Sequence, residues 1–144
     1  MLVYKSKLSK QGVDDMAYIN AEDVKAIRQE LKATFPKFKF GVRKQHHSSV
    51  DVTIKTGPTD FSDCFRGDEG YAPINQYHTH MYGDHQTFFD TVHKIIKTAP
   101  IKGEGYHKNK GWYDNSNSQI DYFETAYYIS MNVGSWNTPY VQTA

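Results

Sequence analysis

The sequence predicts one α+β domain over residues 1–144, with an antiparallel sheet packed against two helices. Three observations carry this. Two segments place apolar residues at helical spacing, two others alternate apolar and polar residues, and the order is helix, strand, strand, irregular segment, helix, strand. Segregated elements in the order α-β-β-α-β imply an antiparallel sheet rather than a wound parallel one.

The first helix is expected over about residues 21–34. Asn20 can cap it, with Asp23 three residues on as a variant of the capping box. Ile19 and Val24 sit at the spacing of a hydrophobic staple. Val24, Ile27 and Leu31 share one face, and Pro36 closes the element by forcing Phe35 out of helical conformation. The period then changes. Phe38, Phe40 and Val42 alternate with Lys37, Lys39, Gly41 and Arg43. After the turn residues His46-His47-Ser48-Ser49, Val50, Val52 and Ile54 alternate with Asp51, Thr53 and Lys55. This is a β-hairpin over 37–56, stopped by Gly57-Pro58, whose apolar face should pack on the helix.

Residues 59–83 hold several acidic residues and glycines and read as irregular, with a short strand expected at Tyr77-His78-Thr79-His80. A second helix follows, because Phe88, Phe89, Val92, Ile95 and Ile96 recur at helical spacing. Asp84 or Thr87 should cap it and Pro100 should end it. Residues 101–119 read as a long exposed loop or open hairpin. A strand is expected between about Ile120 and Val133, with Gly134 and Pro139 ending the regular structure.

The run from Asn20 to Lys32, then Phe35-Pro36-Lys37-Phe38-Lys39-Phe40-Gly41-Val42-Arg43, then Val52-Thr53-Ile54-Lys55-Thr56-Gly57-Pro58-Thr59, resembles a known family. That family is the large polyvalent protein-associated domain family numbered twenty-nine, and the resemblance is best over residues 18–60. Its members occur in proteins of phages and other mobile elements. The resemblance implies a mobile-element origin and an α+β fold, and it supplies no catalytic residues.

Composition narrows the function classes. The 17 basic and 16 acidic residues nearly cancel, so no global field would draw the chain onto nucleic acid or an anionic membrane. The single cysteine, Cys64, cannot form an internal disulfide, which favours a reducing compartment. The N-terminus lacks a signal-peptide pattern and no apolar run is long enough to span a membrane. The expected location is the cytoplasm of the host cell.

Several constellations could carry chemistry. His78, His80, Asp84 and His85 form the candidate metal cluster, since two histidines at i and i+2 on a strand point to one face. That string resembles the His-x-His-x-Asp-His site of the metallo-β-lactamase fold with two residues inserted. No cofactor is otherwise expected, and zinc enters only through this cluster. Acidic neighbours should raise the Cys64 thiol pKa, which argues against a catalytic thiolate. The polar hairpin face carries Lys37, Lys39, Arg43 and Lys55. Trp112 and Tyr113 lie among Lys102, Lys108 and Lys110 in the long loop, and large aromatics are frequent interface anchors. These two sets are the expected binding residues.

The leading expectation is a non-enzymatic, phage- or mobile-element-encoded binding protein acting on a host macromolecule, in counter-defence or host takeover. A host protein is the expected partner. One alternative is a single-stranded nucleic-acid-binding domain, from basic residues interleaved with aromatics. The other is a small metal-dependent hydrolase built on His78, His80, Asp84 and His85.

Overall fold

A computed structural model describes residues 17–143 apart from residues 66, 68 and 115–124. Helix α1 runs Ala21–Thr34 and begins on a reciprocal capping box. Asn20 Oδ1 accepts from the Asp23 amide at 3.0 Å, and Asp23 Oδ2 accepts from the Asn20 amide at 3.1 Å. Val24, Ile27 and Leu31 are buried, as their spacing requires.

Strands β1 (Lys39–Gln45) and β2 (Ser49–Gly57) form the expected antiparallel hairpin, with Val42 opposite Val52 and Arg43 opposite Asp51. The order continues through the short β3 (Ala72–Ile74), helix α2 (Gln86–Lys102), β4 (Tyr128–Val133) and the two-residue β5 (Val141–Gln142). The α+β class holds. The sheet, however, is mixed rather than antiparallel: its order is β1-β2-β4-β3, and β4 runs parallel to β2. The chain crosses the sheet through α2 between β2 and β4, so β4 re-enters in the same direction, as a crossover connection allows.

Four local expectations also change. The strand expected at Tyr77–His80 lies earlier, at Ala72–Ile74, and Thr79–His85 winds as a 3-10 helix instead. Neither Asp84 nor Thr87 caps α2. His85 stands at the N-cap without a side-chain bond, because the preceding 3-10 turn already supplies the Gly83 carbonyl to the Gln86 amide. Pro100 does not end α2, which continues to Lys102. Regular structure does not stop at Gly134 either. Gly134 has φ +65, and a Cβ there would meet the Tyr140 amide at 2.6 Å and the Gly70 carbonyl at 2.7 Å. That turn sends the chain back to lay β5 along β2. Of the strand expected from Ile120, residues 120–124 lie outside the described residues, and the ladder begins at Tyr128.

A proline in a helix lacks an N–H, so the carbonyl four residues earlier loses its donor. Here that carbonyl belongs to Ile96, and the buried Tyr127 hydroxyl donates to it. Tyr127 therefore repairs the defect that Pro100 creates. Tyr127→Phe keeps the ring and strands the Ile96 carbonyl in the core. It should cost about 1–3 kcal/mol in chemical denaturation, the usual consequence of a buried unsatisfied acceptor. A loss under about 0.5 kcal/mol would mean that the bond is dispensable.

Residues 103–110 fold back on the start of α1. The His107 amide donates to Asp23 Oδ1 at 3.2 Å, and His107 Nε2 donates to the Tyr18 carbonyl. His107 is 1% exposed, and its Nδ1 has no partner among the described residues. Burial holds its pKa below the ordinary histidine value. His93 is likewise depressed, from 6.5 to about 4, by burial first and by the Lys97 charge second, against the opposing Asp90 carboxylate. Both imidazoles take up protons more readily in the unfolded chain. Stability should therefore be complete above pH 6.5 and decline as pH falls toward 4, where folded His93 itself charges. His93 should contribute about 1–2 kcal/mol of this decline after solvent screening. Carboxylates dominate only at lower pH, so the readout is the slope of stability between about pH 5 and 6.5. His93→Asn should flatten it, and an unchanged slope would remove His93 as its source.

Candidate functional site: the polar face of the sheet

Along β2, Val50, Val52 and Ile54 turn to the core under the helices. Alternation then places Asp51, Thr53 and Lys55 on the opposite face. The registers complete this face: Gly41 and Asn132 flank Thr53, and Arg43 lies opposite Asp51. The result is a cleft of about 650 Å³ floored by β1, β2 and β4. Its rim is the turn at Ser135–Thr138, which is closed by two backbone bonds, Ser135 to Thr138 at 3.0 Å and Thr138 to Ser135 at 3.1 Å. Trp136 stands on this turn, 78% exposed.

Charge on the floor is unevenly satisfied. Asn132 Nδ2 donates to Asp51 Oδ1 at 2.9 Å, so the carboxylate is held from β4 rather than by Arg43. Among the described residues, neither Arg43 nor Lys55 has an ion-pair partner. Lys55 has no Cα partner on β1, where the register slips between Lys39 and Phe40. Its side chain lies across Gly41, and a Cβ at Gly41 would approach Lys55 Cε to 2.7 Å. A glycine at this place in β1 thus lets the lysine stem cross the sheet.

Of the expected binding residues, Arg43 and Lys55 meet in this cleft, whereas Lys37 and Lys39 are exposed but do not line it. Trp112 and Tyr113 lie elsewhere. Both pack half-buried against the core. The Tyr113 hydroxyl donates to the Tyr127 carbonyl, and the Ala126 amide donates to the Tyr113 carbonyl at 2.7 Å. Burial raises the Tyr113 phenol well above its ordinary pKa. Lys110 Nζ lies 4.2 Å from the centroid of the Trp112 ring. Lys102 pairs with Glu30 at 2.9 Å and Lys108 with Glu104 at 2.8 Å, so these cations are already engaged within the chain. Residues 115–119 of the expected loop lie outside the described residues.

The candidate metal cluster is divided. His78 and His80 are exposed, with ring centroids 6.0 Å apart and planes perpendicular, and Asp84 is exposed. His85 turns away to Asp63, its Nε2 2.9 Å from Oδ1. His78 precedes the 3-10 helix and His80 lies inside it, so the two are not on a strand and the alternation that would put them on one face does not apply. Cys64 follows Asp63, and burial first and the Asp63 charge second push its thiol up to about 11. A resting thiol of this kind is a poor nucleophile.

Trp136 had no place among the expected residues. The signal was there: Gly134 before it and Asn137-Thr138-Pro139 after it mark a tight turn at the end of a strand. An apolar residue at the tip of such a turn has no core to enter.

Among the described residues, no helix is long and apolar enough to cross a membrane. Comparison with curated proteins and with solved structures finds no match. The model of one family, associated with phages and other mobile elements, matches residues 18–134, well past the hairpin and on through α2 and β4. The chain belongs to that family, large polyvalent protein associated domain 29.

Proposed function

We infer that this chain is a non-enzymatic binding protein that holds a segment of a host protein in the cleft on the polar face of its sheet, in counter-defence or host takeover. One observation carries the reading: two cations without ion-pair partners, Arg43 and Lys55, lie beside a 78% exposed Trp136 on the rim of a preformed cleft. Arg and Trp are the residues that most often anchor protein interfaces. An acidic side chain on the partner suits the Arg43 fork, and an apolar one suits the indole. Asp51 on the floor makes the cleft mixed in sign, which suits a peptide better than a run of phosphates. The near-neutral net charge of +1 points the same way.

The test is capture from host lysate on immobilised protein, with and without nuclease, using wild type and the double variant Arg43→Glu/Lys55→Glu. A captured protein that survives nuclease and is lost with the double variant supports the reading. Capture that vanishes with nuclease would overturn it in favour of nucleic acid, and capture indifferent to the variant would move the interface off this face.

A further inference from the structure

We propose that Asp63, Cys64 and His85 form a zinc-binding site at the junction of the 62–64 turn and helix α2. Their donor atoms all lie within 4.8 Å of one another, and among the described residues no other group of three such side chains is brought together. The set pairs a thiol and an imidazole with a carboxylate, the donor chemistry that selects zinc over calcium or magnesium.

The positions are built by local structure. Asp60 Oδ1 accepts from the Ser62 amide at 2.9 Å and the Phe61 carbonyl accepts from the Cys64 amide at 2.8 Å, which fixes the turn that carries Asp63 and Cys64. His85 arrives from the other side, at the start of α2, with its ring 4.9 Å from the Phe61 ring and its side chain only 14% exposed. Two ligands are therefore held by packing. Asp63 is 71% exposed and is not confined by packing. Zinc bonds of about 2.0–2.3 Å put the donors of one tetrahedral site about 3.5 Å apart. Cys64 Sγ already lies 3.8 Å from Asp63 Oδ1 and His85 Nε2 lies 2.9 Å from it, so the required adjustment falls on the exposed carboxylate. The fourth position faces solvent on the Asp63 side and takes water. Binding forms a Zn–S bond and releases the thiol proton to solvent. His78 and His80 have no part in the site.

The full-length reduced chain, freed of metal, is titrated with zinc by calorimetry and with cobalt by absorption. One zinc per chain is expected, and cobalt should show the thiolate charge-transfer band of a sulfur ligand. Cys64→Ser and His85→Gln should each weaken zinc by at least about tenfold, and Cys64→Ser should abolish the cobalt band. The double variant His78→Ala/His80→Ala should bind as wild type does. Zinc should also slow alkylation of Cys64, a readout that needs no substitution. Absence of uptake, uptake that survives Cys64→Ser, or uptake lost with the His78/His80 pair would each overturn the proposal.

Discussion

Phe61→Ala is expected to cost about 3–5 kcal/mol, the loss usual for a fully buried aromatic ring. Phe61 is 1% exposed although it sits outside every helix and strand. Its ring meets Phe89 at 5.5 Å in a stacked arrangement and Tyr140 at 5.1 Å edge-on, with Phe88 at 5.7 Å and Phe38 at 6.5 Å. Those partners come from α2, from the approach to β1 and from the segment before β5. One side chain thus joins the hairpin, the second helix and the C-terminal return. Removing it leaves a cavity that five surrounding groups cannot all close, and it also frees the ring of His85. Equilibrium denaturation gives the loss directly. Phe61→Leu should recover most of it, because the volume is largely kept. A loss under about 1 kcal/mol for Phe61→Ala would show that this aromatic cluster is not a structural joint.

That residue also marks where the sequence stops being informative. The cap of α1 was legible because Asn20 and Asp23 act on each other three residues apart. The hairpin was legible because alternation is local and its turn is short. Both features are settled within a few residues of chain. Phe61 stands alone among Asp60, Ser62 and Asp63, with no period to assign it to a face. The parallel pairing of β4 with β2 is likewise invisible, because it depends on where α2 lays the chain down rather than on β4 itself. Pro100 was read by its usual effect as a helix stop. The missing fact was Tyr127, 27 residues later, whose hydroxyl takes over the carbonyl that Pro100 leaves unpaired. The cleft was half legible: alternation puts Arg43 and Lys55 on the polar face and Gly134 with Pro139 marks a turn after β4, but nothing local says that this turn will wall the cleft.

The two tryptophans give the sharpest test of the binding face. Each follows a small residue and precedes a polar or amphipathic one, Gly111-Trp112-Tyr113 and Ser135-Trp136-Asn137, so the immediate neighbours alone do not separate them. Long-range pairing does. Asp114 bridges to Thr125, which draws Trp112 onto the core, whereas the Ser135–Thr138 turn lifts Trp136 78% clear of it. Trp136→Ala should therefore leave denaturation unchanged within about 0.5 kcal/mol, as for a surface substitution away from packing. It should weaken capture of the host partner by about 2 kcal/mol or more, roughly thirtyfold, the effect of an interface anchor. Trp112→Ala should do the reverse, lowering stability and leaving the affinity of the remaining folded protein close to wild type. Fluorescence separates the two without knowledge of the partner. In the free protein Trp136 should be open to acrylamide and Trp112 shielded, measured in the single-tryptophan variants Trp112→Phe and Trp136→Phe. On capture, the Trp136 signal should become shielded while that of Trp112 stays as it was. A Trp136 that stays open to quencher in the complex, or a Trp136→Ala variant that captures its partner at wild-type strength, would take the indole off the binding face and leave only Arg43 and Lys55 to define it.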